Sequence, residues 1–300
     1  MLSIQKNYNE KVIGTKLSKL DLELHTQQLA LCAHAELSAL VNATNFKKHH
    51  GNLEKPDRDT ILFESIDVLR YIHAIQNLWG ITAKEVEEAF LAKDAYLNAR
   101  QKIKENPWRD QPVVIVDMDD VLVDFRRGFA NWLCRNYQVE VDVDSTEYYF
   151  ITALQKIDVN PEEVFSNFIT QGGFSKLKPV DGAVFFINEL KRMGYWVQIL
   201  TARPEEDLRC MYDTYLWLEK YGIEYDDVGF SAEKFRWCAK SKYYDQKSIL
   251  FAIDDSPKHA EEYAKHGIRV KVPIKSYNTN INQEVDYYQN LNELLKDLEE

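Results

Sequence analysis

Three short apolar runs in the second half of the chain end directly in acidic or hydroxyl residues. They are residues 113–116 before Asp117, residues 196–200 before Thr201, and residues 249–253 before Asp254. Runs of this length and β-branched character are typical of parallel strands buried on both faces. Because the carboxyl ends of parallel strands lie at one edge of a sheet, these polar residues are expected to share one crevice.

A fourth strand is predicted over residues 269–272, and helical stretches alternate with the four strands. That order is typical of a doubly wound α/β domain. The segment 125–177 contains helical patterns and no convincing strand, so we interpret it as a cap inserted after the first strand. Beyond Tyr277 the chain is polar and then amphipathic from Leu291, which indicates a terminal helix.

The first 104 residues have apolar side chains at helical spacing and no strand-like alternation. Three helices are predicted: residues 17–48 with Ser18 and Asp21 as a start signal, residues 60–78 after a loop at 51–59, and residues 82–104 after a capping box of Thr82 and Glu85.

The predicted fold class is therefore α + α/β. Residues 105–112 contain two prolines and connect the two patterns, so they are the best candidate for a linker. The predicted organisation is an all-α bundle at 1–104, the linker at 105–112, the α/β domain at 113–275 and a tail at 276–300.

Composition narrows the possible partners and the location. The chain has a net charge of −11, all of it carried by residues 113–300, which argues against a nucleic acid partner. Four widely spaced cysteines without a CxxC pair predict buried free thiols in a reducing compartment. With no apolar run near the roughly 18 residues of a membrane span and no apolar stretch at the N-terminus, we expect no membrane association and a cytoplasmic location.

The acidic residues at the strand ends point to a bound cation. Clustered carboxylates raise one another's pKa and are costly to bury without a positive charge. Oxygen ligands suited to a phosphate site suggest Mg²⁺. Ordinary turn chemistry could explain an aspartate after one strand, but it does not explain acids or a hydroxyl after three.

This set of residues over 113–275 resembles the haloacid dehalogenase (HAD) phosphatase superfamily. The resemblance implies a covalent mechanism in which Asp117 is the nucleophile and forms an aspartyl-phosphate. Asp119 would be the general acid for the leaving oxygen and then the base for water. Thr201 would hold a phosphate oxygen.

The resemblance also implies a Mg²⁺ site on the Asp117 carboxylate, the Asp119 main-chain carbonyl and Asp254, supported by Asp255. It requires a lysine upstream of the third strand, and three lysines precede it. Lys234 is favoured because it opens a helix from which its side chain can reach the strand ends, while Lys240 and Lys242 stay open as alternatives.

Two segments resemble the cytosolic and mitochondrial 5′(3′)-deoxyribonucleotidases, namely residues 117–125 and residues 173–182. By that resemblance Phe125 would stack on the base or sugar, although a core aromatic at the root of the cap fits its position equally. Two departures occur. Asp120 replaces the glycine usual after the second aspartate, and Thr201 with Ala202 and Arg203 replaces the small hydroxyl pair of the family. Arg203 could contact phosphate or cap the following helix.

The helical half carries its own acidic residues. Glu64 and Asp67 are three apart and share one helix face, and Glu36 interrupts an apolar run. The context over residues 20–104 resembles the all-α nucleotide pyrophosphohydrolases, including MazG proteins and dimeric dUTPases. In that family four acidic residues bind Mg²⁺ for hydrolysis of nucleoside triphosphates.

Lys93, Asn98 and Arg100 fall where the pyrophosphohydrolases contact phosphates and nucleoside, but Ala39 replaces one of the four metal ligands. The helical half could therefore be an active enzyme whose metal site has one ligand fewer, a nucleotide sensor or an oligomerising scaffold. The resemblance implies a homo-oligomer in each case.

Together the two resemblances predict remodelling of a nucleotide pool. The first half would convert a deoxynucleoside triphosphate into a monophosphate, and the second would remove the remaining phosphate. Two alternatives stay open: a HAD phosphatase acting on polynucleotide ends or on another small metabolite, and a regulatory protein whose helical half binds nucleotide without turnover.

Overall fold

A computed structural model describes residues 19–44, 57–105, 111–147, 150–157 and 159–299 of the chain. The chain divides into two compact units, Met1–Ala89 and Phe90–Glu300. This division falls inside a helix. Most of the expected linker, residues 106–110, lies outside the described part. The boundaries at 104 and 113 stay a prediction.

The first unit contains the helices predicted from the sequence, which are α1 (Lys19–Ala43), α2 (Arg58–Leu78) and the start of α3 (Ala83–Glu105). The Trp79 indole, which follows α2, donates to the Thr26 hydroxyl near the start of α1 at 2.9 Å. The two helices therefore run antiparallel. Ser18, the expected start signal of α1, lies outside the described residues.

Side-chain caps fix the starts of α2 and α3. The Asp57 carboxylate accepts from the Thr60 amide at 2.9 Å, and α2 begins at Arg58, two residues earlier than expected. The capping box is confirmed. The Thr82 amide donates to the Glu85 carboxylate at 2.8 Å, and the Glu85 amide donates to the Thr82 hydroxyl at 3.2 Å.

The second unit is built on one parallel sheet, in which the described residues supply six strands in the order β3-β2-β1-β4-β5-β6. The strands are β1 (Val113–Val116), β2 (Trp196–Thr201), β3 (Asp227–Phe230), β4 (Ile249–Ile253), β5 (Arg269–Pro273) and β6 (Asp286–Tyr288). This is the order of a Rossmann-type sheet, which confirms the predicted α/β architecture. The sequence pattern missed β3 and β6.

The remaining α-helices of this unit are α4 (Phe125–Tyr137), α5 (Ile151–Leu154), α6 (Pro161–Thr170), α7 (Ala183–Arg192), α8 (Leu208–Lys220), α9 (Lys234–Ala239), α10 (Pro257–Lys265) and α11 (Leu291–Glu299). The terminal helix is thereby confirmed. Short 3₁₀ helices lie at Phe174–Lys176 and Gln246–Ser248. The described part of the expected cap, 125–177, is helical and has no strand.

A short stem joins the cap to the sheet. The Asp124 amide donates to the Lys178 carbonyl at 2.9 Å, and the Val180 amide donates to the Leu122 carbonyl at 2.8 Å. The outgoing and returning chains thus lie side by side at the carboxyl end of β1. This arrangement places the cap next to Asp117.

An aromatic cluster fills the root of the cap. The buried Phe168 ring lies 5.1 to 6.1 Å from the rings of four neighbours, which are Phe125, Phe129, Trp132 and Phe174. Gly173 permits this packing because a Cβ there would lie 2.4 Å from the Phe168 ring. Closely packed aromatic rings therefore form the root of the cap.

All four cysteines are free, as expected, but only Cys210 and Cys238 are buried. Cys32 and Cys134 are exposed, so the expectation of four buried thiols is wrong for these two, which lie on outward faces of α1 and α4. Among the described residues, each helix falls short of the length or the apolar character that crossing a bilayer requires.

Candidate active site

The acidic residues that follow β1 and β4 meet at the carboxyl edge of the sheet. β1 and β4 are adjacent and parallel, so Asp117 and Asp254 leave the sheet side by side. Ligand oxygens of Asp117, Asp254 and Asp255 all lie within 4.8 Å of one another. All three residues are buried, with at most 6 % of their surface exposed.

Lys234 occupies the centre of this acidic group. Its ammonium nitrogen lies 2.6 Å from Asp117 Oδ1 and 2.7 Å from Asp254 Oδ2, and its side chain is 1 % exposed. The residue opens α9, as the sequence predicts. Lys240 and Lys242 are exposed, so the structure places Lys234 alone of the three candidates at the strand ends.

Burial sets the ionisation of this group. It raises the pKa of Asp117 to about 6, although the ammonium of Lys234 opposes the shift. Burial likewise raises the pKa of Asp254 and, more strongly, that of Asp255, where repulsion by Asp117 adds to the effect. Burial disfavours a charged lysine, but Asp117 and Asp254 outweigh it and raise the pKa of Lys234.

The charge of the group suits a divalent cation. With all three carboxyl groups ionised, they and the one ammonium would carry two net negative charges in a buried space, and isolated charge is costly there. The donor atoms are carboxylate oxygens, the ligands that Mg²⁺ prefers. The residues present therefore fit a Mg²⁺ ion.

Asp119 lies beside the acidic group but has a different partner. Its carboxylate accepts from Arg203 Nε at 2.8 Å and from Arg203 Nη2 at 2.6 Å. Arg203 Nη1 donates to the Thr214 hydroxyl at 2.9 Å. The sequence left two roles open for Arg203, a contact with phosphate and a cap of the following helix. The donors of its guanidinium are directed instead at Asp119 and at Thr214 in the middle of α8.

Thr201, Ala202 and Phe125 surround the same edge. The buried Thr201 hydroxyl accepts from the Arg203 amide at 3.3 Å, and Ala202 is exposed. The half-buried Phe125 ring stacks on Phe129 with centroids 5.4 Å apart. Phe125 therefore belongs to the aromatic root of the cap, and a contact with substrate stays a prediction.

Asp120 shows why its position favours glycine. Its φ is +57°, in the left-handed region that non-glycine residues rarely adopt. The Asp120 carboxylate accepts from the Arg126 amide at 3.0 Å, and such local hydrogen bonds help aspartate to tolerate this conformation. The departure from the family pattern therefore keeps the local backbone. Burial raises the pKa of Asp120 to about 7.

Sequence analysis missed three further residues near this edge. The Tyr277 hydroxyl donates to Asp255 Oδ2 at 2.6 Å, and Nδ2 of the Asn278 side chain donates to the Asp255 carbonyl at 2.9 Å. Arg126 donates to the carbonyls of residues 143, 145 and 147. No local pattern identifies these residues, since their partners are 17 to 23 positions away.

The first unit contains a second acidic group. Ligand oxygens of Glu36 on α1 and of Glu64 and Asp67 on α2 all lie within 4.8 Å of one another, and each residue is half-buried. The antiparallel helix pair thus brings together the three acids that the sequence singled out. Ala39, one turn after Glu36, offers no further ligand.

Three further residues predicted to contact nucleotide, Lys93, Asn98 and Arg100, lie on the part of α3 that belongs to the second unit. The contacts described for them are also within that unit. Lys93 Nζ lies 5.1 Å from the ring centre of Tyr96 and 5.6 Å from that of Tyr212. Asn98 donates to Asp94 at 3.0 Å, and Arg100 donates to the Tyr96 hydroxyl at 3.4 Å. All three are exposed, and their contact with nucleotide stays a prediction.

A phosphatase of the HAD type is the class that this sheet and its acidic edge define. The family model of 5′ nucleotidase, deoxy (pyrimidine), cytosolic type C protein matches residues 111–298. The chain belongs to this family. The match includes Tyr277 and extends into α11, and the domain boundary expected at residue 275 stays a prediction.

Solved structures of phosphatases and hydrolases also resemble the chain. A predicted phosphoglycolate phosphatase from Haemophilus somnus 129PT is 13 % identical with a TM-score of 0.45, and the alignment covers 63 % of this chain and 99 % of that one. A predicted phosphatase from Clostridium acetobutylicum is 16 % identical with a TM-score of 0.46, and the alignment covers 63 % of this chain and 98 % of that one. A HAD-superfamily hydrolase from Ehrlichia chaffeensis is 17 % identical with a TM-score of 0.38, and the alignment covers 63 % of this chain and 96 % of that one. No curated protein matches the chain.

The buried Asp120 carboxyl makes a testable contribution to stability. Its pKa is about 7 in the folded protein, above the ordinary 3.8, so the folded state binds this proton more tightly and loses the resulting stabilisation as the pH rises through 7. We expect Asp120→Asn to raise the free energy of unfolding by about 1 to 3 kcal/mol at pH 8 and by much less at pH 5.5.

Urea denaturation at the two pH values, with chelator present, measures this difference. Asp297→Asn, a matched change at an exposed residue of α11, should have the same small effect at both. An equal change in the free energy of unfolding at pH 5.5 and pH 8 would show that ionisation of the Asp120 carboxyl does not destabilise the folded protein.

Proposed function

We propose that the second unit is a Mg²⁺-dependent phosphatase of deoxynucleoside monophosphates. The observation that carries the proposal is the buried group of Asp117, Asp254 and Asp255 around Lys234, in a chain that belongs to a 5′ nucleotidase family. The family description makes pyrimidine deoxynucleotides the first substrates to test.

In the proposed first step, a carboxylate oxygen of Asp117 attacks phosphorus. The bond between phosphorus and the ester oxygen breaks, and the Asp119 carboxyl gives its proton to that oxygen. The products are the free nucleoside and an aspartyl-phosphate on Asp117. Lys234 and the Thr201 hydroxyl are suited to hold phosphate oxygens during the step.

In the proposed second step, a water oxygen attacks phosphorus and the ionised Asp119 takes the proton of that water. The bond to Asp117 breaks, which releases inorganic phosphate and restores both carboxyl groups. Asp119 suits both roles because its side chain is 25 % exposed, whereas that of Asp117 is 7 % exposed. Substrate and water can therefore reach Asp119.

The residues that would hold Mg²⁺ are Asp117, Asp254, Asp255 and the main-chain carbonyl of Asp119. When bound, the ion would supply positive charge to a phosphoryl group in transfer. Tyr277 and Asn278 would orient Asp255 through the contacts described above. Phe125 and Ala202 are the further residues proposed to face substrate.

We also propose that the first unit binds or hydrolyses nucleoside triphosphates, because the structure gathers Glu36, Glu64 and Asp67 in one acidic group. Hydrolysis there would release pyrophosphate and supply the monophosphate that the second unit consumes. Joining both activities in one chain would raise the local concentration of this intermediate. With Ala39 in place of a fourth acid, binding without turnover is the alternative.

We propose further that the first unit forms a homo-oligomer. Among its described residues Ala33 and Ala74 are the buried apolar ones, while Leu31 and Phe63 are 71 % and 69 % exposed. Apolar faces of this kind favour association with other helices. A second copy of the chain would cover them.

Removal of the nucleophile tests the phosphatase. With Mg²⁺ the wild type should release phosphate from dUMP or dCMP, and Asp117→Asn should lower the rate by at least about 1,000-fold because no covalent intermediate forms. Phosphate assays measure both rates. Asp297→Asn should retain activity. Equal activity of the wild type and Asp117→Asn, or an inactive wild type, would contradict the proposal.

Removal of one acid tests the first unit. In an Asp117→Asn background, which isolates the helical half, Glu64→Gln should lower pyrophosphate release from deoxynucleoside triphosphates by about 10- to 100-fold, because the metal loses a ligand. Glu23→Gln, at an exposed position of α1, is the matched control. Triphosphate binding by calorimetry without pyrophosphate would identify a sensor. Neither binding nor release would contradict both roles.

Charge on the exposed apolar face tests the oligomer. Light scattering should give the wild type a mass of at least two chains of 35.1 kDa, and Phe63→Glu should reduce it because a buried unpaired charge is costly. Phe185→Glu, at a 56 % exposed phenylalanine of α7, should leave the mass unchanged. A monomeric wild type would contradict the proposal.

A further inference from the structure

Arg203 is the second buried cation at the carboxyl edge of the sheet. It is 4 % exposed and follows β2, on the opposite side of β1 from β4. The guanidinium uses two nitrogens, Nε and Nη2, to bind both oxygens of Asp119. Such a two-point contact fixes the orientation of a carboxylate as well as its position.

The guanidinium is itself held from two other directions. Nη1 donates to the Thr214 hydroxyl at 2.9 Å, and that hydroxyl donates to the Cys210 carbonyl within α8 at 2.9 Å. The carbon of the guanidinium lies 4.0 Å from the ring centre of Phe174, at the end of the cap. Helix α8 and the aromatic root of the cap therefore fix the plane of Arg203.

The two aspartates of the first strand end are thus assigned to different cations. Lys234 binds Asp117 and Asp254, and Arg203 binds Asp119 alone. A lysine could not replace Arg203 in this contact, because an ammonium lacks the planar pair of donors that matches a carboxylate.

We propose that Arg203 is a positioning residue that holds the Asp119 carboxyl in line with the ester oxygen of the substrate. The inference rests on the proposed function, in which Asp119 transfers the proton. Arg203 acts through Asp119 and does not itself bind the phosphate. Its loss should therefore slow the proton transfer selectively and leave the attack of Asp117 on phosphorus intact.

Leaving groups of different basicity separate these effects. A deoxynucleoside leaves as an alkoxide unless it receives a proton, whereas p-nitrophenolate leaves without one. We expect Arg203→Lys to lower kcat for dUMP by about 10- to 100-fold, within the range of general acid catalysis, and kcat for p-nitrophenyl phosphate by less than about 3-fold. KM should change little for either substrate.

Thr214→Val provides a second, milder variant, because it removes the anchor of Arg203 without changing Asp119. It should show the same selectivity for dUMP with a smaller loss, and it keeps the test valid if Arg203→Lys does not fold. Arg192→Lys, at an exposed arginine paired with Glu189 on α7, is the matched control and should leave both substrates unaffected.

The outcomes distinguish the inference from the function beneath it. A selective loss with dUMP supports the positioning role. An equal loss of kcat for both substrates, or a rise in KM for both, would overturn it and identify Arg203 as a ligand of the phosphate or as a purely structural residue. A wild type that cleaves p-nitrophenyl phosphate but not dUMP would instead reject the proposed function.

Discussion

The contact of Lys234 with Asp117 and Asp254 is the interaction on which the site depends. Three carboxylates are buried at the carboxyl edge of the sheet, and removal of the one ammonium among them would leave uncompensated charge in a low-dielectric space. Breaking a buried ion pair in this way typically costs about 3 to 5 kcal/mol. Burial of the three carboxylates therefore depends on the position of Lys234 at the start of α9, next to the strand ends.

Sheet order decides which residues can join this group. β1 lies between β2 and β4, so the residues after these three strands are neighbours although 84 or more positions separate Asp117 from Thr201 and Asp254. The cap stem leaves from the same edge, which places the aromatic root beside Asp119. The burial that raises the pKa of Asp117 thus comes from the architecture as a whole.

The sequence carried enough information for the main strands and for the acids that follow them. β1 and β4 are continuous apolar runs, and such runs have few other interpretations in this pattern. β3 contains Asp227 and Gly229, and β6 is a three-residue edge strand with a polar first residue, so neither has the composition that identifies a strand. The sequence favours Lys234 because it opens a helix, which is a local feature.

The contacts that sequence could not predict are those formed across the sheet. Arg203 and Asp119 are 84 positions apart, and the tripeptide of Thr201, Ala202 and Arg203 gives no sign of the partner.

Two aspartates separated by a single residue can differ in chemistry because their surroundings differ. Asp117 continues a central strand, is almost fully buried and shares Lys234 with Asp254. Asp119 lies two residues further along, in the loop after the strand. Its side chain is a quarter exposed, and its ion-pair partner is Arg203. Under the proposed function, these surroundings suit the first to attack phosphorus from a fixed position and the second to exchange protons with substrate and water. The segment of Thr201, Ala202 and Arg203, in place of a small hydroxyl pair, would then shift this part of the site from holding phosphate to holding the proton donor.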